Sequence, residues 1–447
     1  CCSHHLWSRT GWRIFQHCAP DSNVLFAQHK ETAFAKGADI GWLPQMEATG
    51  YRFLDQDGIP KDGLQLLKDR GMNAVRLRVW VNPSNHKIDG HCSKEETVAM
   101  AVRAQKMGMR IMINFHYSDS WADPAKQNKP LAWANHTVAQ LKQDVYNHTW
   151  EVLTALKQAG VTPEWVQVGN EIPGGMLWPE GSTNNWNQLA QFLNSGYDAV
   201  KAVDPKIKVV VHVDEGNNNA KFRVFFDNAT AQNIKYDIIG LSYYPYWIKK
   251  EYTETIADLT ANLNDMVVRY NKDVMVVEVG GEYDKVQNTY DMLRATIQAV
   301  KNIPNHRGLG VMYWEPQGEK SWSGYSLSAW QADGKPSPAL DAGSDLEGRQ
   351  CTRRHCILFA RSSATCRCRR PAFFSRRSAR CSVEHQRLRP GRNTSSRPGV
   401  CARRLEFSSP PSPSVDDSGS QQKCYQNDSD PARDDDHGIL PVHLAAH

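Results

Sequence analysis

Residues 165–172 read W-V-Q-V-G-N-E-I and residues 274–280 read V-M-V-V-E-V-G. Each is an apolar, β-branched run that ends in a carboxylate, Glu171 in the first and Glu278 in the second. A run of this kind fits a strand buried on both faces, as in a parallel sheet. A carboxylate at its C-terminal end then stands where a barrel strand meets its loop, the rim on which (β/α)₈ barrels carry their chemistry.

Working outward, similar runs occur at 34–40, 73–79, 110–115, 164–169, 207–213, 237–242, 274–279 and 309–313. Helical patterns lie between them at 61–70, 94–107, 138–159, 186–203, 219–231, 254–271 and 286–302. The helix at 94–107 opens on Ser93 with Glu96 three residues on, a capping box. Gly71, Gly108, Gly160 and Asn271 fall where helices should stop. Strict strand–helix alternation over residues 32–345 predicts a single α/β domain, a (β/α)₈ TIM barrel. No shorter repeat suggests a solenoid.

The two ends differ from this body. Residues 1–31 have no periodicity, and Arg9, Arg13, His17 and Pro20 interrupt any signal-like apolar core, so no secretory signal is readable there. Residues 351–447 hold 16 arginines, one lysine (Lys423) and seven of the 11 cysteines. That composition cannot bury enough apolar area to offset ordering entropy, so residues 1–31 and 346–447 are expected to be disordered extensions. Arginine without lysine, with scattered cysteine, is also what translation in a wrong reading frame produces. Sequencing the transcript across codons 340–360 tests this, since an unbroken frame there removes the idea. The tail supplies the basicity behind the net charge of +5, which is therefore no argument for a nucleic-acid partner. Cys366 and Cys368 form only C-x-C, too little for a metal module. Cys92 is the lone cysteine between Glu31 and Ser344, so no disulfide is expected within the body. No apolar run approaches a membrane span.

Two glutamates, at the ends of the fourth and seventh runs, suit the acid/base and the nucleophile of a retaining glycosidase, whose carboxyls stand ~5–5.5 Å apart. Asn170 precedes the first and can bond a sugar 2-hydroxyl. On strand two, N-A-V-R-L-R-V-W places Arg76 and Arg78 on one face. An inward arginine near Glu278 would keep it ionised, and at least one of the two is expected to reach outward to a helix instead. The loop after strand three gathers His116, Tyr117, Asp119, Trp121 and Asp123, a polar and aromatic set suited to a sugar; no second histidine supports a metal with His116 and Asp119. In G-L-S-Y-Y-P-Y-W, Tyr243 or Tyr244 can donate to the nucleophile while the other packs in the core, and Trp247 can floor a subsite. Trp314 at the end of strand eight can stack under the central sugar. Glu315 beside it is a rival to Glu278, and Asp39 and Asp214 complete a polar ring.

Taken together, the motifs G-A-D-I-G-W, V-R-L-R-V-W-V-N-P, N-F-H-Y-S-D-S-W-A-D-P, V-G-N-E-I, Y-Y-P-Y-W, V-V-E-V-G and Y-W-E-P resemble glycoside hydrolase family 53, the arabinogalactan endo-β-1,4-galactanases, from about Phe34 to Ala342. The resemblance implies a barrel of the large retaining clan, with Glu171 as acid/base and Glu278 as nucleophile. It implies a supporting shell of Arg76, Asn170, His116, Tyr243 and Trp314, and sugar subsites lined by Asp39, Trp121 and Asp214. It further implies a polysaccharide substrate, galactan or arabinogalactan, and secretion or a periplasmic location. A monomer without cofactor, membrane or nucleic-acid partner is expected. Some family members brace the loop after strand seven with calcium or disulfides; here G-G-E-Y-D-K-V-Q-N is short and lacks cysteine, so neither is expected. The competing readings are a xylan-, mannan- or glucan-cleaving relative, a non-catalytic sugar-binding barrel and a Schiff-base aldolase, and the order of the motifs disfavours the first. The intact carboxylate pair disfavours the second, and the lack of a strand-end lysine disfavours the third.

Overall fold

A computed structural model describes residues 33–345. The extensions expected at 1–31 and 346–447 lie outside the described residues. Eight parallel strands close into a barrel in sequence order: β1 (Ala35–Asp39), β2 (Ala74–Val79), β3 (Arg110–Phe115), β4 (Trp165–Val168), β5 (Lys208–Val213), β6 (Ile238–Tyr243), β7 (Asp273–Val279) and β8 (Gly308–Tyr313). All the expected strands and helices form, with ends displaced by a residue or two. The short helix Leu43–Ala48, after β1, was not foreseen. Ser93 caps the helix Lys94–Lys106 through a complete capping box with Glu96. Asn271 ends the helix Tyr252–Tyr270 in the left-handed conformation. No helix among the described residues is long and apolar enough to cross a membrane.

The strands are buried on both faces, which explains their nearly unbroken apolar runs. Outward side chains such as Val75, Leu77, Ile113, Val166 and Val211 pack under the helices. Inward side chains are layered. Ala35, Ala74, Met112, Trp165, Val210, Ile238, Met275, Val277 and Met312 form an apolar plug inside the barrel. Its bulk requires small neighbours: a Cβ on Gly37 would lie 2.0 Å from the Met312 sulfur. One period along the strands, toward their C-terminal ends, the layer turns polar. Asp39, Arg76, Asn114, Gln167, His212 and Ser242 are all inward and buried. This second layer is the floor of the site.

Candidate active site

Arg76 is the centre of the polar layer. Its Nη1 meets Asp39 Oδ1 at 3.0 Å and Oδ2 at 3.1 Å, and Glu278 Oε1 at 2.8 Å. Its Nη2 donates to Asn170 Oδ1 at 2.8 Å and, with Nε, to Gln167 Oε1 at 3.0 and 3.2 Å. All the donors of the guanidinium are therefore engaged in a fixed fork, a geometry that lysine lacks. Burying an arginine this completely is tolerable only because two carboxylates and two amides surround it.

Glu278 reaches this layer through a local irregularity. Met275 and Val277 face the plug, so in a regular strand Glu278 would face outward. Between β6 and β7 the register shifts, Leu241 pairing with Val276 but Ser242 with Glu278. The extra residue in β7 is a β-bulge, and it turns Glu278 back inside. There Tyr244 donates to its Oε2 at 3.1 Å. Burial pushes the Glu278 carboxyl up, while the Arg76 charge and the Arg76 and Tyr244 hydrogen bonds pull it down.

Glu171 has the opposite surroundings. It follows β4 with φ of +45°, a strained left-handed conformation for a residue with a side chain. Gln127 holds that backbone, its Nε2 donating to the carbonyls of Asn170 (2.8 Å) and Glu171 (3.0 Å). The only side-chain hydrogen bond to the Glu171 carboxyl among the described residues comes from Ser242 Oγ, at 2.5 Å from Oε1. Burial lifts its pKa well above the ordinary range, and the Glu278 and Asp214 charges add to the rise. Ser242 bonds Glu171 and is also the register partner of Glu278, so the two carboxyls converge over one strand. Two glutamates thus share a site in which one is held by a cation and the other is not, an arrangement that pushes their protonation apart.

Asn170 accepts from Arg76, from Asn114 Nδ2 at 3.0 Å and from Gln167 Nε2 at 3.1 Å, and donates from Nδ2 to Ala122 O at 2.8 Å. Among the described residues its second N–H has no partner. His116 is buried and neutral, its pKa lowered by burial and by Arg76 and Arg78, and its Nδ1 accepts from Ala122 N at 3.1 Å. Asp119 accepts from Asn82 N and Leu131 N and so braces its loop. An aromatic wall rises beside the carboxyls. Trp314 lies edge-on to Trp42 (5.1 Å) and Tyr325 (4.8 Å), and 5.7 Å from Trp121. Asp214 is salt-bridged to Lys221 at 2.9 Å. Trp247 is half-exposed on the loop after β6, edge-to-face with Tyr246 at 4.8 Å.

Three expectations need correction. Tyr243 is not in the shell: strand parity turns it outward, where its hydroxyl bonds Thr255 at 2.9 Å, and Tyr244 takes the place beside Glu278. Asp39 does not line an open subsite; it is 1% exposed with both oxygens on Arg76. Neither arginine of β2 reaches outward to a helix carboxylate. Arg78 ion-pairs with Glu315 inside the barrel, 4.6 Å from the Trp121 ring centroid, and a Cβ on Gly41 would strike its guanidinium. Both oxygens of Glu315 are taken, Oε1 by Arg78 and Oε2 by Trp42 N (3.1 Å) and Gln317 Nε2 (2.5 Å). Sequence reasoning missed Ser242, His212, Gln167 and Gln127. The first three were detectable as polar residues at inward parity in apolar strands; Gln127 carried no signal.

The pKa of Glu171 makes a stability prediction. A carboxyl raised in the folded state contributes stability that is present below its ordinary pKa and lost as pH rises through the folded value. Glu171→Gln removes that loss and retains an acceptor for Ser242. The variant is expected to be more stable than wild type at pH 8, on the order of 1 kcal/mol, with the difference vanishing near pH 4. Urea midpoints at the two pH values measure it, and an equal difference at both would refute the electrostatic cause.

A closed barrel with this carboxyl pair on its C-terminal rim defines a glycosidase of the (β/α)₈ class. The chain belongs to glycosyl hydrolase family 53, whose profile matches residues 35–343. It is 35% identical to an arabinogalactan endo-β-1,4-galactanase of Humicola insolens over 63% of this chain and 89% of that protein. It is 32% identical to an endo-β-1,4-galactanase of Bacillus subtilis over 67% of this chain and 73% of that one. Among solved structures it is similar to a family 53 catalytic domain from Ignisphaera aggregans, with a TM-score of 0.64 at 30% identity, over 69% of this chain and 95% of that one.

Proposed function

We propose that this chain is a secreted, monomeric endo-β-1,4-galactanase that cleaves internal bonds of galactan or type I arabinogalactan with retention at the anomeric carbon. The substrate follows from the family and from the names its relatives carry. The mechanism rests on one observation, the unequal surroundings of the two glutamates. Glu278, ion-paired to Arg76, is the nucleophile, and Glu171, lifted in pKa by burial, is the proton donor.

In the first step Glu278 Oε attacks the anomeric carbon as Glu171 protonates the departing glycosidic oxygen. A glycosyl ester forms and the Glu278 charge disappears. The repulsion that raised Glu171 falls with it, so the ionised Glu171 becomes a competent base. In the second step Glu171 takes a proton from water, the hydroxide oxygen joins the anomeric carbon, and Glu278 leaves as carboxylate. The free N–H of Asn170 is placed for the 2-hydroxyl, and Trp314 offers a face to the apolar side of the sugar ring. The catalytic unit is residues 32–345, and the flanking extensions take no part.

Linear β-1,4-galactan tests the proposal. Galacto-oligosaccharides of intermediate length are expected early, with the β-anomer as the first product by NMR. Initial α-anomer, or release of single galactose units alone, would contradict it, and faster cleavage of xylan, mannan or glucan would reassign the substrate.

A further inference from the structure

His212, a buried imidazole that the mechanism above does not use, sits between the backbone and the side chain of Glu171. Its Nδ1 lies 3.3 Å from Glu171 N and 3.0 Å from Gln167 Nε2. A backbone N–H can only donate, so Nδ1 is an acceptor and the ring proton must be on Nε2. Nε2 lies 2.8 Å from Ser242 Oγ. Ser242 therefore accepts from the histidine and has one proton to give, and Glu171 Oε1 is 2.5 Å away. The direction of every bond in the chain is fixed by one amide.

We infer that His212 and Ser242 form a one-way relay that keeps Glu171 Oε1 a permanent acceptor and so confines the catalytic proton to Oε2. These are positioning residues, acting through Glu171; the inference rests on the acid/base role proposed for it. Oε2 has no partner among the described residues, and the side chain is only partly buried, so a proton on Oε2 is available to a glycosidic oxygen. Without the relay the proton could reside on Oε1, turned away from the substrate. The relay persists because the imidazole stays neutral. Burial lowers its pKa well below the ordinary value, as does the facing charge of Arg76 from β2; the other titratable group that faces it is His116, at the end of β3 and neutral. The charges facing Glu171 are Glu278 from β7, Asp214 from the end of β5 and Asp123 from the loop after β3, all of which oppose its ionisation. Ser242 alone opposes them with a hydrogen bond to the carboxylate.

The sign of the test follows. Attack on the substrate requires protonated Glu171, so its ionisation is the alkaline limb of kcat/KM. Deleting the Ser242 hydroxyl removes a bond that favours the ionised form, so that limb moves to higher pH. The full-length enzyme is assayed on linear β-1,4-galactan from pH 4 to 10. Ser242→Ala is expected to shift the alkaline limb up by about one unit and to lower kcat, and Ser242→Thr, which restores a hydroxyl, to return it. Glu171→Ala is run alongside. It should lose the alkaline limb and most activity on galactan, yet still be glycosylated by an aryl β-galactoside whose leaving group needs no proton. If Glu171→Ala keeps the limb, the acid/base role fails and the relay with it. If that control behaves and Ser242→Ala leaves the limb in place, the relay alone is wrong. Nitrogen-15 NMR of the wild-type imidazoles gives a second readout independent of any variant: the Nε2–H tautomer of His212 should persist from pH 5 to 9, and an Nδ1–H or doubly protonated ring in that range would overturn the inference.

Discussion

Glu278→Ala is expected to lower kcat on galactan by about 10⁵-fold, and azide is expected to restore turnover with formation of an α-galactosyl azide. Loss of the nucleophile leaves Glu171 with nothing to assist, because protonating the leaving oxygen without attack on the other face does not supply a covalent intermediate. The truncation opens a space on that face, lined by Arg76 and Tyr244. A small linear anion fits such a space and is drawn by the guanidinium. Its single displacement inverts the anomeric centre, so the product stereochemistry reports which face Glu278 occupies. The fold should survive, since Arg76 keeps Asp39 and both amides. Removing Glu278 also relieves Glu171 of a facing charge, so its pKa should fall. Residual activity near wild type, with no azide product, would transfer the role to Glu315. That residue is poorly suited, since attack would require it to leave Arg78, Trp42 and Gln317 together.

The barrel was readable because each strand is buried on both faces and spells that burial as a β-branched run, while helices interrupt the runs with caps such as Ser93 and Asn271. The carboxyl pair was readable for the same reason: an acid stands out at the end of an apolar run. What could not be read is which way a side chain points when the strand is irregular. Regular alternation from Met275 and Val277 sends Glu278 outward, and only the bulge, which is a property of pairing with β6, brings it in. The tyrosines show the converse. Ile238, Gly240 and Ser242 share inward parity, and extending it by two residues selects Tyr244 over Tyr243. The resemblance pointed to the wrong one where simple alternation would have served. Asp39 was expected in the polar ring and as a subsite lining and is instead a buried partner of Arg76, because a sequence does not show that one arginine will take up two carboxylates. Gln127 lies on a loop without periodicity, and its role emerges only from the closeness of the β3 and β4 ends.

Arg76→Leu is expected to destabilise the enzyme by about 3–5 kcal/mol and to abolish activity at neutral pH, for a single reason. It strands Asp39 and Glu278, both buried, with no other cation within ion-pair reach among the described residues, since Arg78 is committed to Glu315. Each carboxyl is raised by burial already and is held down chiefly by the Arg76 charge. Without it both rise further and take up protons near neutrality. The sign for stability follows: such groups contribute stability below their ordinary pKa and lose it as pH rises through the folded value, so the deficit of the variant should be smallest near pH 4 and grow toward pH 8. The sign for catalysis is the same. Attack needs ionised Glu278, so any remaining activity should have its acidic limb displaced to higher pH. Arg76→Lys separates charge from geometry, since an ammonium can keep one carboxylate ionised but cannot also hold Gln167 and Asn170 in the fork. It should recover much of the stability and little of the rate. Urea titrations of both variants at pH 4 and pH 8 decide the matter, because a deficit independent of pH would mean that Arg76 fills space and that the nucleophile is kept ionised by something else.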